Sequence, residues 1–144
     1  MAHSFNPPDV WKPFGAFSQS VIVGDGHLVF LKGQVALDSS GQIVGEESME
    51  QQVQQVLQNI SDVLAAMGGQ MSDVVSLNQF TTNIQAFMRC GAIRQEFFRT
   101  PFPVTTTLLV VALYDPRLLV EINGTVEIPA DRFIMPSGAD ELHG

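Results

Sequence analysis

From Ser48 onward the apolar residues Met49, Val53, Val56, Leu57, Ile60, Val63, Leu64 and Met67 recur mostly at steps of three and four, with Gln, Asn and Ser between them. That spacing gathers the apolar side chains into one stripe along a helix, and a helix with one stripe must lie on another element. On both sides of it the sequence changes to short runs rich in Val, Ile, Leu, Phe and Thr, the composition of strands. A sheet with a face to cover is therefore what this helix requires. Gly68-Gly69 ends it, because glycine enters the left-handed conformation of helix C-termini without a Cβ penalty.

The runs Phe17 to Val23 (FSQSVIV) and Leu28 to Leu37 (LVFLKGQVAL) are joined by Gly24-Asp25-Gly26-His27. The Asp-Gly step predicts a tight hairpin and antiparallel pairing of the two strands. Asp38-Ser39-Ser40-Gly41 supplies the next turn. After the long helix, Val74 to Thr82 reads as a strand, and Asn83 as the cap of a second helix carrying Phe87, Ile93, Phe97 and Phe98. Pro101 and Pro103 stop that helix, and strands at Val104 to Ala112 and Leu118 to Ile128 follow, separated by a turn at Tyr114-Asp115-Pro116. Residues 1–16, with three prolines, and residues 129–144 show no periodicity and are expected to be irregular, leaving one domain over 17–128. The order predicts an α+β fold, a mixed sheet with two helices packed on one face.

A chain of 144 residues is long enough for one core. Hydrophobic residues make up 45% and charged residues 15%, which leaves few charges to solvate a surface and predicts apolar area buried between subunits. A net charge of -8 with 7 basic residues repels phosphate backbones, so nucleic acid is not an expected partner. The single cysteine, Cys90, excludes an intrachain disulfide and a multi-thiolate metal site, and reads as an inert helical thiol. His3, His27 and His143 lack metal-ligand spacing, so no metal is expected, nor any other cofactor. The first residues carry no basic region followed by an apolar run, and no apolar stretch reaches the ~20 residues needed to span a bilayer. The expectation is a soluble cytoplasmic protein with no membrane partner.

Two charges interrupt the strand patterns. Lys32 falls inside LVFLKGQVAL, and Glu121 directly follows Leu118-Leu119-Val120. Because a buried charge is costly unless paired or used, the two mark a candidate polar site on the sheet. A lysine also reaches water along an apolar stem, and Glu121, Asn123, Thr125 and Glu127 alternate as a solvated strand face would. Thr105 and Thr107, two apart, share a sheet face and offer hydroxyls, although threonine is also simply a good strand former.

Taken in order, FGAFSQSVIVGDGHLVFLKGQVALD, the long helix, DVVSLNQFTTNIQAF, FPVTTTLLVVAL and LLVEI resemble the RidA/YjgF family. The resemblance runs from about Phe14 to Ile128 and implies a chorismate-mutase-like fold, a homotrimer, a pocket at each subunit interface, and hydrolysis of reactive enamines and imines to ketoacids and ammonia. It implies roles for individual residues as well. The family's acidic residue, thought to orient water, matches Glu121. The arginine that grips the substrate carboxylate in a PARS-like motif is replaced here by Thr105 of Pro103-Val104-Thr105-Thr106, and a neutral hydroxyl cannot supply two charge-assisted bonds. The family tyrosine becomes Phe17, the serine of its SGQ becomes Lys32 beside Gly33, and an asparagine of the second helix matches Gly91. One cation is lost at Thr105 and one gained at Lys32, and compensation is the simplest account.

The expectation is a divergent hydrolase of a small imine, enamine or related carbonyl-derived metabolite. Glu121 and Lys32 carry the chemistry, and Phe17, Gly33, Gly91, Thr105 and Thr107 shape a pocket for an anionic small molecule. The rival is a relative that binds a metabolite or another protein without turnover, favoured by the lost arginine and tyrosine hydroxyl.

Overall fold

The computed structural model describes residues 1–142, so His143 lies outside the described residues. Its strands are β1 (His3–Phe5), β2 (Ser20–Ile22), β3 (His27–Gln34), β4 (Val74–Thr81), β5 (Val104–Leu109) and β6 (Val120–Ile128). Helix α1 (Met49–Ala65) precedes β4, and α2 (Ile84–Met88) and α3 (Gly91–Phe97) lie between β4 and β5. The main sheet runs β3-β6-β4-β5, with β4 and β5 parallel and the other neighbours antiparallel. This is the mixed sheet of an α+β fold.

Helix α1 starts at Ser48, whose extended backbone turns its hydroxyl oxygen to accept from the Gln51 N–H. The chain leaves α1 after Ala65 through Gly68, whose φ of +77° is the left-handed conformation expected of it. Its stripe of Val53, Val56, Leu57, Ile60 and Leu64 is fully buried against Val120, Ile122 and Val126 of β6 and Leu77 of β4. Each such aliphatic side chain contributes about 1.5–3 kcal/mol on leaving water. Polar residues on the helix fasten its loops. Buried Gln52 donates to the carbonyls of Gly45 and Arg117 and accepts from the Leu119 N–H, and Asn59 donates to the carbonyls of Val35 and Leu37.

Three expectations are corrected. The strands either side of Gly24-Asp25-Gly26 do not pair as a hairpin, because β2 pairs with β1 and β3 pairs with β6. The turn is clamped instead of free: a Cβ at Gly24 would stand 2.5 Å from the Met1 backbone, one at Gly26 2.7 Å from the Ile128 carbonyl, and the Gly24 N–H donates to buried Glu127. The segment 1–16 is accordingly not wholly irregular, since His3–Phe5 forms β1. The second helix is divided into α2 and α3 at Arg89-Cys90, although Asn83 caps its start as expected by accepting from the Ala86 N–H. Beyond β6, the C-terminal segment is tied down by Arg132, whose guanidinium makes a two-pronged pair with Asp73.

Candidate functional site

Alternation along β5 and its register with β4 set the geometry of one half of the site. Thr105 and Thr107 lie opposite Leu77 and Gln79, so they face the helix side of the sheet. There, between β5, α3 and the N-terminal segment, is a cavity of about 550 Å³ lined by Thr105, Thr107, Phe17 and Gly91. Four of the residues singled out in the sequence are thereby brought together. Phe17 is held at the cavity by its neighbour: Ser18 donates its hydroxyl to the Phe102 carbonyl at 2.6 Å and its N–H to the Pro103 carbonyl at 2.9 Å. Phe17 also packs edge-on to Trp11 and Phe14, with ring centroids 5.8 and 5.2 Å away. At Gly91 a Cβ would meet nothing within 4 Å, so the glycine leaves open space at the cavity wall.

The cavity also contains a cation that the sequence reading passed over. Arg94 of α3 is only 9% exposed, and its guanidinium donates to the Gln79 side-chain oxygen. The Gln79 amide in turn donates to Thr107 Oγ1 at 2.8 Å, so a chain of hydrogen bonds runs from α3 through β4 to β5. The rings of Phe87 and Phe98 lie 5.9 and 5.6 Å from the guanidinium carbon, within cation–π range. Burial pushes the Arg94 pKa down to about 10, which leaves it charged at neutral pH. A signal for it was present. Phe87, Cys90, Arg94 and Phe98 are spaced by three, four and four, the helical interval that would place Arg94 among apolar neighbours; the chain divides there into α2 and α3, yet all four are buried together. Cys90, buried with them, has its thiol pKa raised by burial, and Glu50 raises it further. That suits an inert side chain.

The remaining three residues lie elsewhere in the chain. Val120, Ile122 and Val126 turn to the core, so Glu121 between them projects from the opposite face, cross-strand from Phe80. A register shift between Leu31 and Gln34 brings Gly33 against Glu121, where a Cβ would stand 2.1 Å from Oε2. Lys32, in the same bulge, is exposed and makes no ion pair with Glu121, so the argument from a buried charge does not apply to it. Within one chain, Glu121, Gly33 and Lys32 are thus separated from Thr105, Thr107, Phe17 and Gly91 by the thickness of the sheet.

A β3-β6-β4-β5 mixed sheet, covered by helices on one face and with polar residues divided between its two faces, defines the chorismate-mutase-like α+β class. Within that class the match is specific. The family model described as endoribonuclease L-PSP matches residues 9–128, and the chain belongs to this family, the RidA/YjgF group. A 2-iminobutanoate/2-iminopropanoate deaminase from Dermatophagoides farinae is 34% identical over 117 residues, covering 81% of this chain and 89% of that protein. The human protein of the same name is 30% identical over 100 residues, covering 69% and 71%. Among solved structures, the conserved Rid-family protein YyfB from Yersinia pestis superposes with a TM-score of 0.76 at 30% identity, covering 88% of this chain and 98% of that one. No helix among the described residues is long and apolar enough to cross a membrane.

Proposed function

We propose that this protein is a homotrimeric hydrolase of small imines or enamines, with each site completed by a neighbouring subunit. The observation that carries the reading is the position of Glu121. It is a half-buried carboxylate on the sheet face turned away from the cavity, with no cation or hydrogen-bond donor paired to it among the described residues. A second copy of the chain supplies that carboxylate to the cavity beside Thr105 and Thr107. The exposed Phe30 and Leu108 on the same outer face support burial of that face against another copy.

In this reading Glu121 takes a proton from water as the oxygen adds to the C=N carbon and returns it to the nitrogen, giving the carbinolamine; the same carboxylate then moves the carbinolamine's hydroxyl proton to the amino group, and the C–N bond breaks to release ammonia and leave the carbonyl. The missing side chain of Gly33 leaves room for the carboxylate, Lys32 on the bulge adds positive potential for an anionic substrate, and Phe17, Gly91, Thr105 and Thr107 shape the cavity. The relatives named as iminobutanoate/iminopropanoate deaminases support the reaction class. The net charge of -8 argues against the nuclease activity in the family's description.

The test is ammonia release from imines generated in place by an amino-acid oxidase. The protein is expected to accelerate it, and Glu121→Gln to abolish the acceleration while sparing ligand binding. Absence of acceleration for every imine tried, with ligand binding intact, favours a second reading: a binding protein without turnover. Thr105 at the arginine position and the missing hydroxyl at Phe17 are the observations on its side.

A further inference from the structure

The chain has lost the β5 arginine that its family resemblance leads one to expect, yet the same cavity holds a guanidinium from another element. Arg94 reaches it from α3 and is nine-tenths buried. A guanidinium carries five N–H donors, and Arg94 gives only one hydrogen bond, to an uncharged amide oxygen, among the described residues. No carboxylate of the described chain lies within ion-pairing distance of it. The guanidinium has given up most of its hydration without gaining a counter-ion, and its free donors open on the cavity rather than being sealed in the core, so an anion bound there meets a charge that water only partly solvates. The surroundings are arranged for such a visitor. Phe87 and Phe98 sit beside the charge, Gln79 fixes one prong of the fork, and the remaining donors are left for the cavity.

The rest of the cavity lining says what else the ligand carries. Trp11, Phe14 and Phe17 form a cluster with centroids 5.2–5.8 Å apart, and a cavity of about 550 Å³ greatly exceeds a three- or four-carbon acid. We infer that Arg94 is the anion-binding residue of this site, and that its ligand is a carboxylate on a bulky apolar body, preferably an aromatic one, packed against Trp11, Phe14 and Phe17. The arginine has changed elements, from strand to helix, and the carboxylate is gripped from the α3 side of the cavity. This rests on reading the cavity as the ligand site but not on hydrolysis.

The experiment compares three probes by calorimetry on the intact protein: hydrocinnamate, its neutral isostere hydrocinnamyl alcohol, and propanoate. Hydrocinnamate is expected to bind about tenfold or more tightly than either of the others, because only it has both the charge for a charge-assisted pair and the ring. Arg94→Met should erase the preference for carboxylate over alcohol. Arg94→Lys should keep part of it, since a point charge replaces the fork. Circular dichroism checks the fold of each variant, and the wild-type comparison stands even if a variant unfolds. Equal binding of acid and alcohol by the wild type overturns the inference. So does a carboxylate preference that survives Arg94→Met and vanishes in Lys32→Met, which moves the anion contact to the bulge, and so does equal binding of hydrocinnamate and propanoate. Wild-type protein that binds hydrocinnamate through Arg94 and accelerates no imine refutes hydrolysis and sustains this assignment. Imine turnover unaffected by Arg94→Met, with acid and alcohol bound alike, does the reverse.

Discussion

Gly33 and Glu121 are in such close register across β3 and β6 that a Cβ at position 33 would stand 2.1 Å from the carboxylate Oε2 and 2.8 Å from Cδ. The β-bulge at Lys32-Gly33 makes this approach, and only a glycine permits it. Gly33→Ala must therefore swing the carboxylate aside, which a flexible side chain on an outer face does at modest cost to the fold. Imine turnover is expected to fall about a hundredfold, as for other ångström-scale misplacements of a reacting group. The thermal midpoint should move by only a few degrees, roughly the effect of 1 kcal/mol. Unchanged turnover in a folded Gly33→Ala protein removes Glu121 from the chemistry.

The division of site residues between the two faces of one sheet predicts subunit complementation. Light scattering should give three times the chain mass of 15.7 kDa. Glu121→Gln and Arg94→Met homotrimers should each be inactive. Equal parts of the two, assembled together, should regain about a quarter of the wild-type activity, because random pairing joins an intact Arg94 to a neighbour's intact Glu121 at that fraction of interfaces. Mixed trimers verified by native mass spectrometry but showing no recovery would place both residues in a site within one subunit.

Thr105 lines the same cavity as the buried Arg94, so Thr105→Arg puts a second guanidinium where one is already short of a counter-ion. Urea denaturation should show a loss of roughly 3–5 kcal/mol, the range for an uncompensated buried charge. Adding Arg94→Gln to Thr105→Arg should recover most of it. A fully stable Thr105→Arg single variant would mean that the cavity tolerates both charges, and that Arg94 is less confined than its burial indicates.

Arg132 donates to both carboxylate oxygens of Asp73 and to the Gly68 carbonyl, joining the C-terminal segment to the end of α1. The Asp73 side chain is 6% exposed, so Arg132→Met strands a buried carboxylate, which keeps only the Gln70 N–H. Because the arginine itself is one-third exposed, a loss of about 1–3 kcal/mol is expected in the unfolding free energy read from the urea midpoint, with turnover unchanged. A midpoint equal to wild type would show that water replaces the pair at no cost.

The elements that could be read directly from the chain are those whose signal is local. The three-and-four spacing from Met49 to Leu64, the cap at Asn83 and the glycine at position 68 depend on helix geometry alone, and the structure has all three. Thr105 and Thr107 share a face because strand side chains alternate, which needs no knowledge of the partner strand. Pairing is different. The Asp-Gly turn at Asp25-Gly26 reads as a hairpin by turn chemistry, yet β2 finds β1 and β3 finds β6, because packing around the turn at Met1, Glu127 and Ile128 decides which edges meet.

The site divides the same way. The sequence marked Glu121 as a charge among apolar strand residues, and only the family resemblance marked the missing arginine at Thr105. The sequence did not mark Arg94, whose burial among Phe87, Cys90 and Phe98 is a statement about how α2 and α3 pack, and whose lack of a carboxylate partner is a statement about everything packed around it. Nor did it separate Lys32, exposed on a bulge, from a buried cation, because exposure is fixed by what the rest of the chain covers. Local periodicity determined the elements of this protein and the faces of its strands. Tertiary packing decided which strands pair, which cation is buried, and that Glu121 and the Thr105 cavity lie on opposite sides of one sheet.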